Sequence, residues 1–198
     1  MELQNLVVEA ARRHGAKAAF TLPGGWSVTF ADLDRLSAEV AAGLAERGVG
    51  PGTVAALTVP SDPSYVVAYL ALARLGAVTA GVNPRFTDAE RARALDVVAP
   101  DLVLAAEGQA LDVPGATVVR VGAPTSADDV LTEVRGAGAV PPLRPDPDRD
   151  VAIVLTSGTT GVPKGAVFTN RRLGAVTEGD VGDRWGGGTD MIASTQFA

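Results

Sequence analysis

The 198-residue chain contains no cysteine, which removes a disulfide framework, a thiolate metal site and a cysteine nucleophile together. It has a single histidine, His14, so neither a Ser-His-Asp triad at a second site nor a histidine-rich zinc cluster is available. His14 itself precedes Gly15 at the close of the first helical pattern, where an imidazole serves the helix C-terminus more readily than catalysis. Long apolar runs are also missing. The longest, residues 65–73, is stopped by Arg74 and falls well short of the roughly 20 residues of a membrane span. Positive charge is scarce: 17 basic against 23 acidic residues give a net charge of −6, which argues against non-specific binding to nucleic acid or to an anionic membrane. Lysine is the scarcest cation, with Lys17 and Lys164 the only two. The opening Met1-Glu2-Leu3-Gln4-Asn5-Leu6 carries acid and amide groups where an export signal would have a basic and then an apolar region, so a soluble cytoplasmic protein is expected.

What is present is the material of a folded domain. Hydrophobic residues make up 46% and charged residues 20%, enough for a real core, and the length suits one generous α/β domain or two small ones. Leu3, Leu6, Val7, Ala10 and Ala11 recur at helical spacing. Residues 18–22 and 26–28 read as short strands around the turn Pro23-Gly24-Gly25. Thr29 with Asp32 forms an N-terminal capping pair for a helix whose apolar stripe is Leu33, Leu36, Val40 and Leu44. Strand and helix then alternate: strand 54–59, helix 65–75 behind Pro63, strand 78–82, a helix opened by Thr87 and Glu90 and running to Val98, strands 102–105 and 117–121, and a short helix 127–134. Nearly continuous apolar strands in that alternation predict an α/β fold, a parallel-rich sheet with helices on both faces. Residues 136–149 hold four prolines and read as a surface connection inside one domain. Thr169 is placed to cap a helix from Asn170 to about Glu178, Gly186-Gly187-Gly188 to turn the chain, and residues 191–194 to start a strand.

The most informative stretch is 151–170. Five apolar residues, Val151 to Leu155, read as a buried strand and run into Thr156-Ser157-Gly158-Thr159-Thr160-Gly161-Val162-Pro163-Lys164-Gly165. Gly158, Gly161 and Gly165 allow a close backbone approach to a ligand. Thr156, Ser157, Thr159 and Thr160 offer hydroxyl donors, and Lys164 offers a mobile cation. A polyphosphate suits such a loop. Its order fits neither the Walker A loop nor the dinucleotide Gly-x-Gly-x-x-Gly turn. Ala166-Val167-Phe168 reads as another short strand, so phosphates would be held between strands and not at a helix N-terminus. In a chain that uses arginine by default, the loop lysine looks selected.

Thr156 to Gly165 resembles the phosphate-loop signature of the adenylate-forming, or AMP-binding, enzymes: AMP-forming acyl-CoA synthetases, peptide-synthetase adenylation domains and luciferases. Residues 28–33 are similar to that family's first core motif, with Phe30 and Asp32 in place of its tyrosine and glutamate, and capping and packing account for every one of them without direct chemistry. Residues 72–78 with Asn83-Pro84 are similar to its second motif, in a form closer to the acyl-CoA ligases. The family's histidine after the motif threonine is here Asn170, and its asparagine two residues later is Arg172. The resemblance covers essentially the whole chain but only the N-terminal part of the family, so residues 1–198 are expected to be the N-terminal portion of an AMP-binding domain, without the small mobile C-terminal domain. It implies activation of a carboxylic acid by Mg2+-ATP to an acyl adenylate and then to acyl-CoA, with ATP, Mg2+ and coenzyme A as cofactors and cosubstrates and with no metal ligand in this chain. Thr156, Ser157, Gly158, Thr159, Thr160 and Gly161 would bind the phosphates, and Lys164 would offset their charge as pyrophosphate departs. Two alternatives are a carrier-protein-loading adenylation domain and a non-catalytic interaction module that keeps the fold. A chain of this extent is also expected to expose apolar surface and self-associate.

Overall fold

Two sheets organise the chain in the computed structural model, which describes residues 3–156 and 163–181. The smaller is a hairpin of β1 (Ala18–Thr21) and β2 (Ser27–Thr29). The larger has six strands in the order β6-β5-β3-β4-β7-β8. Its members are β3 (Val54–Thr58), β4 (Val78–Gly81), β5 (Leu102–Ala106), β6 (Thr117–Val121), β7 (Asp150–Thr156) and β8 (Lys164–Thr169). Every neighbouring pair is parallel except β7 and β8, which are antiparallel.

Alternation along the strands divides the core into two layers. Leu57, Leu102 and Leu104 face one side, where they pack with Leu36, Val40 and Leu44 of α2 (Phe30–Glu46) and with Val67, Ala71 and Leu72 of α3 (Pro63–Leu75). Ala56, Ala80, Val103 and Ala105 face the other, against Ala94, Leu95 and Val98 of α4 (Asp88–Val98). Both faces of the sheet are therefore covered, as the apolar strands require. α1 (Leu3–His14) lies outside α2, and the His14 ring packs on Phe30 with centroids 6.0 Å apart.

The helix boundaries follow from local chemistry. Thr29 accepts from Asp32 N at 3.1 Å, and the Asp32 carboxylate accepts from Thr29 N at 3.0 Å, closing a capping box at α2. Thr87 and Glu90 do the same for α4. α3 starts on the Asp62 cap with Pro63 in its first turn and ends at Gly76, whose φ of +69° is the left-handed conformation that a C-terminal cap needs.

One expectation is corrected. Residues 127–134 do not form a single short helix but two 3-10 turns, Ala127–Asp129 and Thr132–Val134. The break lies at Leu131, whose φ of +55° turns the chain so that Val130, Leu131 and Val134 all reach the core beside α2. Burial of three large side chains outweighs the strain of one left-handed leucine. The last helix, α5 (Asn170–Val181), runs past the expected Glu178. The turn at 186–188 and the strand at 191–194 lie outside the described residues.

Candidate phosphate site at the carboxyl edge of the sheet

Strands β3, β4, β5 and β7 are parallel, so their carboxyl ends open on one edge, where ligands of such sheets bind. β7 ends at Thr156, which pairs in register with Lys164, the first residue of β8. The two are tied again by the Thr156 hydroxyl, which donates to the Lys164 carbonyl at 3.3 Å. A ladder thus closes the neck of the loop, and both Thr156 and Lys164 are exposed at its mouth. Of the other expected ligands, Ser157, Gly158, Thr159, Thr160 and Gly161 lie outside the described residues. Asn170, which stands where the family's histidine would be, is at the opposite end of the hairpin. Thr169 pairs with Asp150, about 20 Å of strand away from Thr156. Asn170 is buried, and its side-chain amide donates to the Asp146 carbonyl at 2.9 Å, pinning α5 to the proline-rich connection.

A second cation stands at the same edge. β4 pairs with β7 through Ala80 and Ile153, and the loop after β4 contributes Asn83 and Phe86 to a cavity that Val154 and Leu155 of β7 also line. Its backbone is fixed from within: Asn83 Oδ1 accepts from Arg85 N at 2.9 Å and Asn83 O from Phe86 N at 3.1 Å. Arg85 is exposed on that loop and has no ion-pair partner among the described residues. β4 and β8 flank β7, so their backbones are roughly 10 Å apart, and Arg85 follows β4 while Lys164 opens β8. Sequence reasoning missed Arg85. Its signal was an arginine directly behind the Asn83-Pro84 turn at the carboxyl end of a strand.

The remaining neighbours close the edge without binding anions. The N-terminus of α3 is already occupied by the Asp62 carboxylate, which accepts from Ser64 N at 2.7 Å. Burial pushes that carboxyl above the usual aspartate range, against the amide hydrogen bond that favours its charged form. Buried Thr58 donates to the Gln109 side chain at 3.1 Å, linking the ends of β3 and β5. Beside the hairpin stem lies a cavity of about 530 Å3, mostly apolar, lined among others by Tyr65, Tyr69, Phe86, Val154, Phe168 and Leu173. Burial pushes the Tyr65 phenol up to about 12 and raises Tyr69 as well, so both stay neutral. No group of three or more His, Asp or Glu residues is placed to hold a metal among the described residues, and no helix there is long and apolar enough to cross a membrane.

These features can be set beside known proteins. The chain is 34% identical over 160 residues to 4-coumarate–CoA ligase CCL1 of Humulus lupulus, a match covering 75% of this chain and 29% of that enzyme. It is 32% identical over 169 residues to the isonitrile lipopeptide synthase of Streptomyces coeruleorubidus, covering 85% of this chain and 11% of that protein. Among solved structures, the inhibitor-bound N-terminal domain of FACL13 from Mycobacterium tuberculosis superposes with a TM-score of 0.72 at 25% identity, over 85% of this chain and 44% of that one. The chain thus spans less than a third of the curated relatives it matches. The profile of the AMP-binding enzymes matches residues 7–196, from α1 through the hairpin that carries the phosphate loop, and this chain belongs to that family.

Proposed function

We propose that this chain supplies the N-terminal, phosphate-loop portion of an AMP-forming acid–CoA ligase acting in the cytoplasm. The observation that carries the reading is the hairpin neck. Thr156 and Lys164 are held opposite each other at the open edge of a parallel sheet, with a hydroxyl- and glycine-rich loop between them and a second cation, Arg85, beside it. Such a mouth presents donors and positive charge and no carboxylate cluster, so it fits the phosphates of ATP. Mg2+ would enter with ATP and offset part of the charge on its phosphates.

In this reading a carboxylate attacks the α-phosphorus of ATP, the bond to the β-phosphate breaks, and pyrophosphate leaves. Hydroxyls and amides of residues 156–161 orient the β- and γ-phosphates, and Lys164 offsets the charge that gathers on the departing pyrophosphate. CoA then takes the acyl group from the adenylate as a thioester. The CoA acceptor is favoured by the similarity to 4-coumarate–CoA ligase. The similarity to a lipopeptide synthase supports a second reading, in which the acyl group passes to a carrier protein.

The test is ATP–pyrophosphate exchange with a panel of short, long and aromatic acids, on this chain and on the full reading frame in parallel. Exchange in the longer protein that falls on the order of 100-fold in Lys164→Ala is the expected result. Exchange unaffected by Lys164→Ala would remove the assigned role.

A further inference from the structure

The helix α4 carries a residue that packing does not explain. Arg91 is 5% exposed, in the second turn of α4, with its guanidinium turned back onto the preceding loop. Nη2 donates to the Phe86 carbonyl at 2.7 Å and the Pro84 carbonyl at 3.3 Å, and Nη1 donates to the Asp88 carboxylate at 2.8 Å. Nε is buried and has no partner. Two costs attach to this placement. A cation loses hydration on burial, and near a helix N-terminus it faces the positive end of the helix dipole. A leucine would pack α4 against β3 and β5 without either cost. What the guanidinium adds is a grip on two carbonyls of one short loop, the loop that carries Arg85.

We propose that Arg91 is a positioning residue: its guanidinium holds the loop 83–87 so that Arg85 stays at the edge of the sheet where the Thr156–Lys164 neck opens, and the affinity for a phosphate-bearing cosubstrate depends on that grip. The inference rests on the adenylate-forming reading above. The loop's other ties are those of Asn83, whose Oδ1 accepts from Arg85 N and whose carbonyl accepts from Phe86 N, and those of Thr87, which shares the capping box with Glu90 and whose carbonyl accepts from Arg91 N at 2.9 Å. All are local, linking residues no more than four apart. Among the described residues only the Arg91 side chain binds the Pro84 and Phe86 carbonyls, so its loss would free Pro84, Arg85 and Phe86 to move as a unit while the capping box still holds α4. Phosphoanhydride groups are shared by ATP and CoA, and the two half-reactions separate them.

The experiment uses the full-length enzyme, with Arg91→Met to keep volume, Arg91→Lys to keep charge, Arg85→Ala, and the double variant. Pyrophosphate exchange reads the KM for ATP, and thioester formation from preformed acyl adenylate reads the KM for CoA. The expected result is a rise of about tenfold in one of these KM values in Arg91→Met, with kcat changed less than about twofold. Arg91→Lys should recover part of the rise, and the double variant should be no worse than Arg85→Ala alone. If both KM values stay at the parent level, or if the two substitutions multiply, the proposal is overturned. Amide hydrogen exchange at Arg85, Phe86 and Thr87 gives a readout that does not depend on the reaction. Faster exchange in Arg91→Met supports the grip, and unchanged exchange overturns it even if the parent proves to catalyse something else. Should Arg91→Met fail to fold, Arg91→Lys carries the same two readouts.

Discussion

Replacement of Gly43 by alanine gives a prediction whose sign is set by the fold. Gly43 lies inside α2, and an interior helical glycine costs about 1 kcal/mol relative to alanine, so sequence rules alone favour the substitution. In the folded chain, however, a Cβ at this position would overlap the Val134 carbonyl oxygen and lie 2.6 Å from the Arg135 carbonyl carbon and 2.7 Å from the Gly136 nitrogen. These are backbone atoms and cannot rotate aside. The segment 134–136 would have to retreat by about 1 Å to regain normal contact distances. That movement strains the bond from Gly136 N to Glu39 O at 2.9 Å and the bond from Arg47 Nη2 to Glu133 O at 3.1 Å. Overpacking of this kind costs up to about 3 kcal/mol and a lost hydrogen bond about 1 kcal/mol, which outweighs the propensity gain and leaves a net loss near 3 kcal/mol. For a domain of this size the melting temperature should fall by roughly 6–12 °C, measured by far-ultraviolet circular dichroism. Ala45→Gly, on the same helix, isolates the propensity effect and should cost about 1 kcal/mol. A Gly43→Ala protein that melts at or above the parent temperature would refute the close approach of α2 to residues 134–136.

Asp62 should give the stability a pH dependence of known sign. Burial holds its folded pKa above the ordinary 3.8, so the contribution is present below that value and is lost as pH rises through the folded value. Asp62→Asn keeps a good helix cap and removes the titration, so its melting temperature should gain on the parent as pH rises from about 4 to about 6; a constant difference would refute the burial argument. The apolar surface on the last hairpin and helix should drive association of the 198-residue chain. Val154, Val167 and Val176 are 47%, 44% and 52% exposed, and among the described residues β8 is an edge strand paired only to β7. Sedimentation velocity should show concentration-dependent association that Val167→Lys reduces, and a monomer at every concentration would refute it.

Sequence reading recovered the parts of the fold that are decided locally. The capping pairs Thr29 with Asp32 and Thr87 with Glu90 are satisfied within four residues, so they are written in order along the chain. The strands around Ala56, Ala80 and Val103 are buried on both faces, which makes them continuous apolar runs with no competing helical period. What could not be read depends on contacts between distant segments. Residues 127–134 have helical composition, but the demand for Leu131 in the core comes from α2, almost a hundred positions earlier. Arg91 sits in a helix whose sequence looks solvated, and only the carbonyls of the returning loop make its burial tolerable. Gly43 reads as a helix defect until residues 134–136 are seen lying against it.

The site was legible to a similar depth. Seven residues between Thr156 and Lys164 are too few for the crossover that a parallel pair requires, so an antiparallel turn is the only way to close such a loop between strands. The phosphate-binding role proposed for its hydroxyls, glycines and lysine was readable from their order alone, residues 157–162 lying outside the described residues. The environment was not, since it is assembled by strand order and β4 becomes the neighbour of β7 only when the sheet forms. That assembly also resolves an apparent conflict of charge. A net charge of −6 would repel an anionic nucleotide at long range, but the Debye length in physiological salt is about 8 Å, so a ligand at the sheet edge responds mainly to groups within that reach. Lys164 on β8 and the exposed Arg85 on the loop after β4 are the candidates for such groups, β4 and β8 being the strands that flank β7. If the hairpin takes a polyphosphate as proposed, two local cations in an acidic chain would make its recognition short-ranged, and the backbone that positions them would matter more to binding than the overall charge.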